Sequence, residues 1–296
     1  MKYHVFTHFD VDGAVSYLLI KWFFPNVNIS YSTSCTMRFR EDWNNWTLNN
    51  NIKDYDKIFI LDLDICDCAD LIDHENVLVI DHHKSHNNVY KKAKGIIKEY
   101  SSAAKLCYKL LNKLHPDVNI TDAQKKLILL TDDYDSYTLQ LPDSQKLNIV
   151  FNGYNKKFES FIKNFARGFF TFNLEQQNMI KLHTQKIESI KNNIEVYGEY
   201  INIEGKKRKV VASFVNQSGG INEIADYLKD KFNADIAMIV NLKQQSVSIR
   251  RSHKDDSLDV SNFAKKLVDG GGHEYAAGGK ITEAFLEFTK LLKQIK

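Results

Sequence analysis

Three apolar runs in the first third of this chain each stop at a group of acids and histidines, and that repetition limits what the chain can fold into. The first, Lys2 to Phe6, alternates as a strand does and leads into Thr7-His8-Phe9-Asp10-Val11-Asp12-Gly13. The second, Asp56-Lys57-Ile58-Phe59-Ile60-Leu61-Asp62-Leu63-Asp64, is almost continuously apolar before its acids. The third, Asn76 to Ile80, closes on Asp81-His82-His83. Strands of this kind have both faces covered, which is the habit of a parallel sheet flanked by helices. The intervening text agrees. Ala14 to Phe24 is long enough for a buried helix, and Asn28 to Ser32 reads as a short strand. Ser101 to Leu114 and Thr121 to Asp132 read as helices, the second with Thr121 as its N-cap. Cys35 to Asn51 is polar and Asn-rich, with Trp43 and Trp46 expected to pack over the core. The expected fold class is therefore α/β with a parallel sheet in the N-terminal domain.

In an open parallel sheet the carboxyl ends of the strands lie along one edge, where ligands bind. Asp10, Asp12, Asp62, Asp64, Asp81, His82 and His83 are expected to meet there. Such a gathering of buried like charges is too costly without compensation. Divalent cations are the natural compensation, and a pair rather than one, because the donors outnumber a single coordination shell.

Beyond Gln140 the pattern changes. Leu174 to Ile194 is a long polar helix with Ile180, Ile187, Ile190 and Ile194 at helical spacing. A smaller α+β unit follows. Tyr200 to Ile203 and Lys209 to Phe214 form a hairpin about Glu204-Gly205-Lys206, with the basic run Lys206 to Lys209 on its solvated edge. Asn222 to Lys231 and Asp259 to Val268 read as helices, Ala234 to Asn241 and Ser246 to Arg251 as strands. Thr282 to Lys296 is expected as an amphipathic helix through Phe285, Phe288, Leu292 and Ile295. Gly270 to Gly279 holds five glycines, two alanines and His273. Its amides are expected to form an anion-binding loop, with Arg250 or Arg251 as a phosphate clamp.

A length of 296 residues accommodates one large or two ordinary domains, and 43% apolar with 26% charged residues is a soluble globular composition. A formal charge of +3 is too small for wrapping long duplex nucleic acid but leaves room for a local basic pocket. Cys35, Cys66, Cys68 and Cys107 have no C-x-x-C spacing and are expected as reduced thiols. No signal-peptide stretch or run of about twenty apolar residues is present, so a cytoplasmic protein with no membrane partner is expected.

Asp81-His82-His83, preceded by His8-x-Asp10-x-Asp12-Gly13 and Asp62 and followed by Asp135-Ser136, resembles the DHH phosphoesterases. Val247-Ser248-Ile249-Arg250 with Gly270-Gly271-Gly272-His273-x-x-Ala276-Ala277-Gly278 resembles the DHH-associated C-terminal domain. The short first motif, Asp81-His82-His83-Lys84 and Tyr134-Asp135 are similar to the bacterial nanoRNase branch, the NrnB-like and NrnA-like oligoribonucleases. The resemblance implies a catalytic domain over 1–170, a linker helix over 171–198 and a substrate-binding domain over 199–296. It implies two divalent cations, Mn²⁺ first and Mg²⁺ or Co²⁺ next. His8 and Asp10 would hold one and Asp12 and His82 the other, with Asp62 bridging and Asp135 completing the site; Asp132 and Asp133 are the alternatives to Asp135. His83 would contact phosphate, and Asp81 would orient a histidine. Arg250, Gly271, Gly272, His273 and Ala276 would bind substrate. The implied activity is hydrolysis of short RNA or DNA oligonucleotides and dinucleotides to mononucleotides, and of 3′-phosphoadenosine 5′-phosphate, by a monomer or homodimer. Two other readings suit the same residues: a cyclic-dinucleotide phosphodiesterase, and a nucleotide sensor without turnover.

Overall fold

In a computed structural model of the protein, the described residues are 1–83, 86–87, 89–98, 101–216, 219–252, 257–272 and 274–295. The chain divides into two compact units, Met1–Ile180 and Lys181–Lys296.

The first unit begins with β1 (Lys2–His8), α1 (Val11–Phe23), β2 (Asn28–Ser34) and α2 (Phe39–Asn49). β3 (Lys57–Leu61), α3 (Ala69–Ile72), β4 (Val77–Asp81) and β5 (Lys94–Ile97) follow, then α4 (Ala103–Leu114), α5 (Asp122–Asp135), α6 (Ser144–Gly153) and α7 (Lys157–Asn164). The five strands form one sheet in the order β2-β1-β3-β4-β5, parallel throughout. Successive side chains go to opposite faces. Val5, Phe59 and Leu61 join α1 and α4 to α7 in one core, and Phe6, Ile58 and Ile60 join Phe39, Trp43 and Ile72 in the other. From β1 the chain first builds outward to β2 and then returns to the other side of β1, so the strand order switches between β1 and β3.

The polar segment around Trp43 and Trp46 is helical. Trp43 is buried and Trp46 packs against His4 and Tyr55. α6 and α7 were not apparent in the sequence, where short apolar spacings are broken by Asn and Lys. Their Phe151, Phe158 and Phe161 are nonetheless fully embedded.

The long helix α8 (Leu174–Asn193) carries the division between the units, and Ile187 and Ile190 on its later turns pack in the second. There, β6 (Val196–Ile203), β7 (Lys206–Val215), α9 (Ile221–Phe232), β8 (Ile236–Asn241) and β9 (Ser246–Arg251) precede α10 (Val260–Val268). β10 (Gly271–Gly272), β11 (Ala276–Lys280), α11 (Glu283–Thr289) and β12 (Lys293–Ile295) complete it. The sheet order is β10-β11-β9-β8-β7-β6-β12, with only β7 and β8 parallel. Glu204 and Gly205 both have positive φ, as a two-residue hairpin turn requires.

Three expectations are corrected here. The last helix stops at Thr289, because Lys293–Ile295 pairs with Val196–Gly198 and Ile295 lies over Gly198; strand pairing outweighs the helical spacing. The run at the hairpin is only half solvated. Arg208 is 2% exposed and donates to the Ile203 carbonyl and to Ser257, while the Lys209 ammonium donates to the Phe232 carbonyl. The glycine-rich segment is not an open loop, since Gly271–Gly272 and Ala276–Lys280 are antiparallel strands. A Cβ on Gly270 would overlap the Gly278 carbonyl, so glycine there serves the close approach of two backbones. All four cysteines are free thiols. Among the described residues no helix is long and apolar enough to cross a membrane.

Candidate active site

Three strands of the first sheet, β1, β3 and β4, deliver donors at their carboxyl ends, each by a different local device. At β1, Asp10 caps α1: its Oδ1 accepts from the Gly13 amide at 2.9 Å and its Oδ2 from His8 Nδ1 at 2.7 Å. A Cβ on Gly13 would strike the His8 carbonyl and the Thr7 hydroxyl, so only glycine lets the helix start this close to the strand. Asp12 is thereby turned inward, 2% exposed. Its two oxygens accept the Ala103 and Ala104 amides at 2.7 and 2.8 Å, an anion seated on the N-terminus of α4. At β3, Asp62 has φ of +59°, the left-handed conformation that Asp tolerates better than most side chains. Asp81 ends β4 and is followed by His82 and His83, and Asp135 is the last residue of α5.

These ends converge at the switch between β1 and β3. His82 Nε2 lies 3.2 Å from Asp62 Oδ1, 3.5 Å from Asp135 Oδ2 and 3.8 Å from Asp12 Oδ2. His8 Nδ1 lies 3.8 Å from Asp62 Oδ2. Three overlapping donor groups result here, His8/Asp10/Asp62, Asp12/His82/Asp135 and Asp62/Asp81/His82/His83, each with its ligand atoms within 4.8 Å of one another. The contact between His82 and Asp62 joins them.

Their electrostatics are unbalanced. Burial and the neighbouring charges of Asp12 and Asp10 hold the Asp62 carboxyl well above the usual carboxylate range, and the same causes raise Asp135. Asp12 is pushed up to about 7 by burial and by Asp10, against its two amide hydrogen bonds. Burial is the largest single influence on Asp10 and would raise it, but the hydrogen bond and charge of His8 together with the Gly13 amide hold it below the ordinary value. Asp62 Oδ2 and Asp135 Oδ2 are buried with no hydrogen-bond partner. Orphaned carboxylate oxygens beside mutually repelling acids fit a divalent cation and little else.

Asp132 and Asp133 are engaged elsewhere. Asp132 accepts from the Ser102 amide at 2.9 Å, the Ser101 hydroxyl at 3.2 Å and Lys105 Nζ at 2.5 Å. Asp133 accepts from the Thr138 hydroxyl and the Gln140 and Leu141 amides. Ser102 is the N-cap of α4. Asp135 is therefore the acid of this stretch that faces the cluster. Asp64 Oδ1 accepts from the Cys66 amide at 3.3 Å.

Asp81 is fully buried and accepts from two imidazoles, His83 Nδ1 at 2.7 Å and His86 Nδ1 at 2.6 Å. Burial alone would raise its pKa; the two N–H donors hold it well below the usual range. His83 titrates above an ordinary histidine, because Asp81 outweighs the effect of burial. His86 was missed in the sequence, and its only signal there is a third histidine close behind His82-His83.

In the second unit, Arg250 on β9 is the register partner of Ala276 on β11, and Gly271 and Gly272 on β10 pair with Gly278 and Ala277. Arg250 Nε donates to Asn222 Oδ1 at 2.9 Å, and its Nη1 to the Ile249 and Ala277 carbonyls at 3.0 and 3.3 Å. Arg251 is buried over the Tyr275 ring at 4.2 Å. Of the two arginines, Arg250 is thus the one placed beside the glycine strands. His273 lies outside the described residues.

The family model described as "DHH family, N-terminal domain" matches residues 2–132, and that of the DHHA1 domain matches residues 207–296. No curated protein matches the chain. Among solved structures, the fold is similar to a pGpG-specific phosphodiesterase, PggH, from Vibrio cholerae, at 15% identity and a TM-score of 0.61, covering 97% of this chain and 96% of that one. It is similar to RecJ from Thermus thermophilus in complex with Mn²⁺, at 13% identity and a TM-score of 0.62, covering 98% of this chain and 51% of that one. An exopolyphosphatase-related protein from Bacteroides fragilis matches at 14% identity and a TM-score of 0.57, covering 98% and 91%.

Proposed function

The chain belongs to the DHH family, and from that premise we propose a phosphodiesterase, dependent on two divalent cations, that hydrolyses short oligonucleotides and dinucleotides to mononucleotides. The observation that carries the reading is the cluster of His8, Asp10, Asp12, Asp62, His82 and Asp135, with its two buried, unpartnered carboxylate oxygens. His8, Asp10 and Asp62 would hold one cation and Asp12, His82 and Asp135 the other, with Asp62 between them. A mixed carboxylate and imidazole set suits Mn²⁺ better than Mg²⁺, which prefers oxygen donors alone. RecJ, one of the similar folds, has been solved in complex with Mn²⁺ and in complex with Mg²⁺. When bound, such a cation pair acidifies a water and neutralises charge on a phosphoryl group.

The chain's own residues supply the rest. Asp81 accepts the Nδ1 proton of His83, so this imidazole presents Nε2 toward phosphate or a leaving oxygen. Its raised pKa favours the cationic form, which suits contact with an anion. In the second unit, Arg250 would offer a guanidinium to a phosphate, with Ala276 of β11 opposite it in register and the low-profile Gly271 and Gly272 on the far side of that strand. A site of this kind suits a nanoRNA, a dinucleotide or 3′-phosphoadenosine 5′-phosphate. The test is a panel of labelled dinucleotide, pentanucleotide, 3′-phosphoadenosine 5′-phosphate and cyclic dinucleotide with Mn²⁺, Mg²⁺ and Co²⁺. Mononucleotide release from the linear substrates in Mn²⁺ is expected. Preferential opening of the cyclic substrate would move the assignment to a cyclic-dinucleotide phosphodiesterase, and tight binding without turnover to a nucleotide sensor.

A further inference from the structure

We propose that His86, backed by Tyr90, is a positioning residue that fixes the Asp81 carboxylate and through it the His83 imidazole. The inference rests on the reading that His83 contacts the phosphoryl group. Asp81 Oδ1 is 2.7 Å from His83 Nδ1, and Asp81 Oδ2 is 2.6 Å from His86 Nδ1. On its far side His86 Nε2 is 2.6 Å from the Tyr90 hydroxyl. The His86 side chain is wholly inaccessible, whereas His83 reaches the site's rim with 28% of its side chain exposed.

A carboxylate can only accept, so both imidazoles carry a proton on Nδ1. His86 Nε2 is paired with the Tyr90 hydroxyl, so the tilt of the His86 ring is set from both ends. With Oδ2 tied to His86, Asp81 has one orientation left, and Oδ1 fixes the roll of the His83 ring. Without His86 the carboxylate is free to turn about its own bond, and the His83 ring turns with it. His86 also lies with Asp64 and Cys66 in a group of ligand atoms within 4.8 Å of one another. Both of its nitrogens already have partners, so the positioning role accounts for it and an additional cation does not.

The experiment compares wild type with His86→Leu, His86→Asn and Tyr90→Phe in the full chain. An asparagine amide can stand in for the Nδ1 donor, whereas leucine cannot. Turnover of a labelled dinucleotide is measured with Mn²⁺, alongside calorimetric Mn²⁺ binding and proton NMR of the far-downfield imidazole N–H signals. His86→Leu is expected to lower kcat about 10- to 100-fold, as loss of a supporting partner typically does. Its KM and Mn²⁺ affinity should stay within about twofold, the range that separates a kcat effect from lost binding. His86→Asn should recover most of the loss. The downfield region of the wild type should include one N–H signal each from His83 and His86, and His86→Leu should lose the latter and displace the former. If His86→Leu does not fold, His86→Asn and Tyr90→Phe still decide, because both should keep the His83 signal while Tyr90→Phe shifts that of His86. Unchanged kcat in a folded His86→Leu, or a His83 signal indifferent to every substitution, would overturn the inference. A wild type that turns over no phosphodiester would instead overturn the proposed activity, and the NMR comparison would still judge the network.

Discussion

At the carboxyl edge of the parallel sheet, Asp62 and Asp135 each bury an oxygen that no group satisfies, whereas on β9 of the second sheet Arg250 is held by Asn222 and by two backbone carbonyls. The first edge is assembled by topology: a strand-order switch brings together acids more than fifty residues apart, and their mutual repulsion is left standing. The second is assembled by backbone, with glycines that admit close strand contact and an arginine already braced. The first edge is left short of positive charge and the second has its cation already braced, which is why cations are proposed for the one and an anion for the other.

The comparison is broken most decisively at Asp62. Asp62→Asn should lower kcat on the order of a thousandfold, comparable to removal of a preorganised charge-stabilising group. At pH above the raised Asp62 pKa, the same variant should raise the melting temperature of the metal-free protein, because there it removes one of the repelling charges. Turnover and thermal melting in chelator together check this, and a destabilised, active variant would refute it. Next in size is cation binding itself. Mn²⁺ at a hundred times its Kd should stabilise the first unit by about 2.7 kcal/mol. Because Asp12 titrates near 7 without metal, and Asp62 and Asp135 are raised as well, binding must displace protons, so at a fixed Mn²⁺ concentration the shift should grow from pH 6 to pH 8. Denaturation with and without Mn²⁺ across that range measures it.

Arg250→Ala sharpens the other side. It should raise KM for a dinucleotide roughly 10- to 100-fold with little change in kcat, as loss of a charge-assisted contact of about 1.5–3 kcal/mol would. A fall in kcat at constant KM would place Arg250 in the chemical step instead. The smallest effect lies away from both edges. His4 is buried between the Ser30 and Ser32 hydroxyls, and burial lowers its pKa to about 4. A histidine depressed on folding contributes stability that is full above its unfolded pKa of about 6.5 and is lost as pH falls towards 4. Between pH 7.5 and pH 5 this amounts to about 2 kcal/mol at most. The difference between wild type and His4→Gln in urea denaturation isolates it from the opposing titration of Asp12.

Much of this was legible because buried parallel strands announce themselves. Phe59 to Leu61 and Val77 to Ile80 have no polar alternation, so their ends and the acids beyond them could be placed on one edge before any coordinates. What could not be read was which acid of Asp132, Asp133 and Asp135 faces inward, since that depends on the Ser102 and Leu141 amides arriving from other segments. His86 and Tyr90 escaped notice for the same reason: a polar stretch carries no periodicity, and nothing in it marks His86 as the partner of Asp81 at the end of β4. The glycine segment misled in the opposite sense. Residues without side chains read as a loop, yet here their smallness is what permits strands to pack.

The two amides that α4 gives to Asp12 carry a lesson for reading relatives of this chain. An asparagine at that position would have to aim its own NH₂ at a backbone donor, so the acid is demanded by folding as well as by any chemistry. A descendant that had abandoned hydrolysis would still be under pressure to keep it, while positions 62 and 135 would be released to drift. Persistence of the second acid of the opening motif is thus a poor diagnostic of a working enzyme, and loss at the other two is a good sign of a retired one.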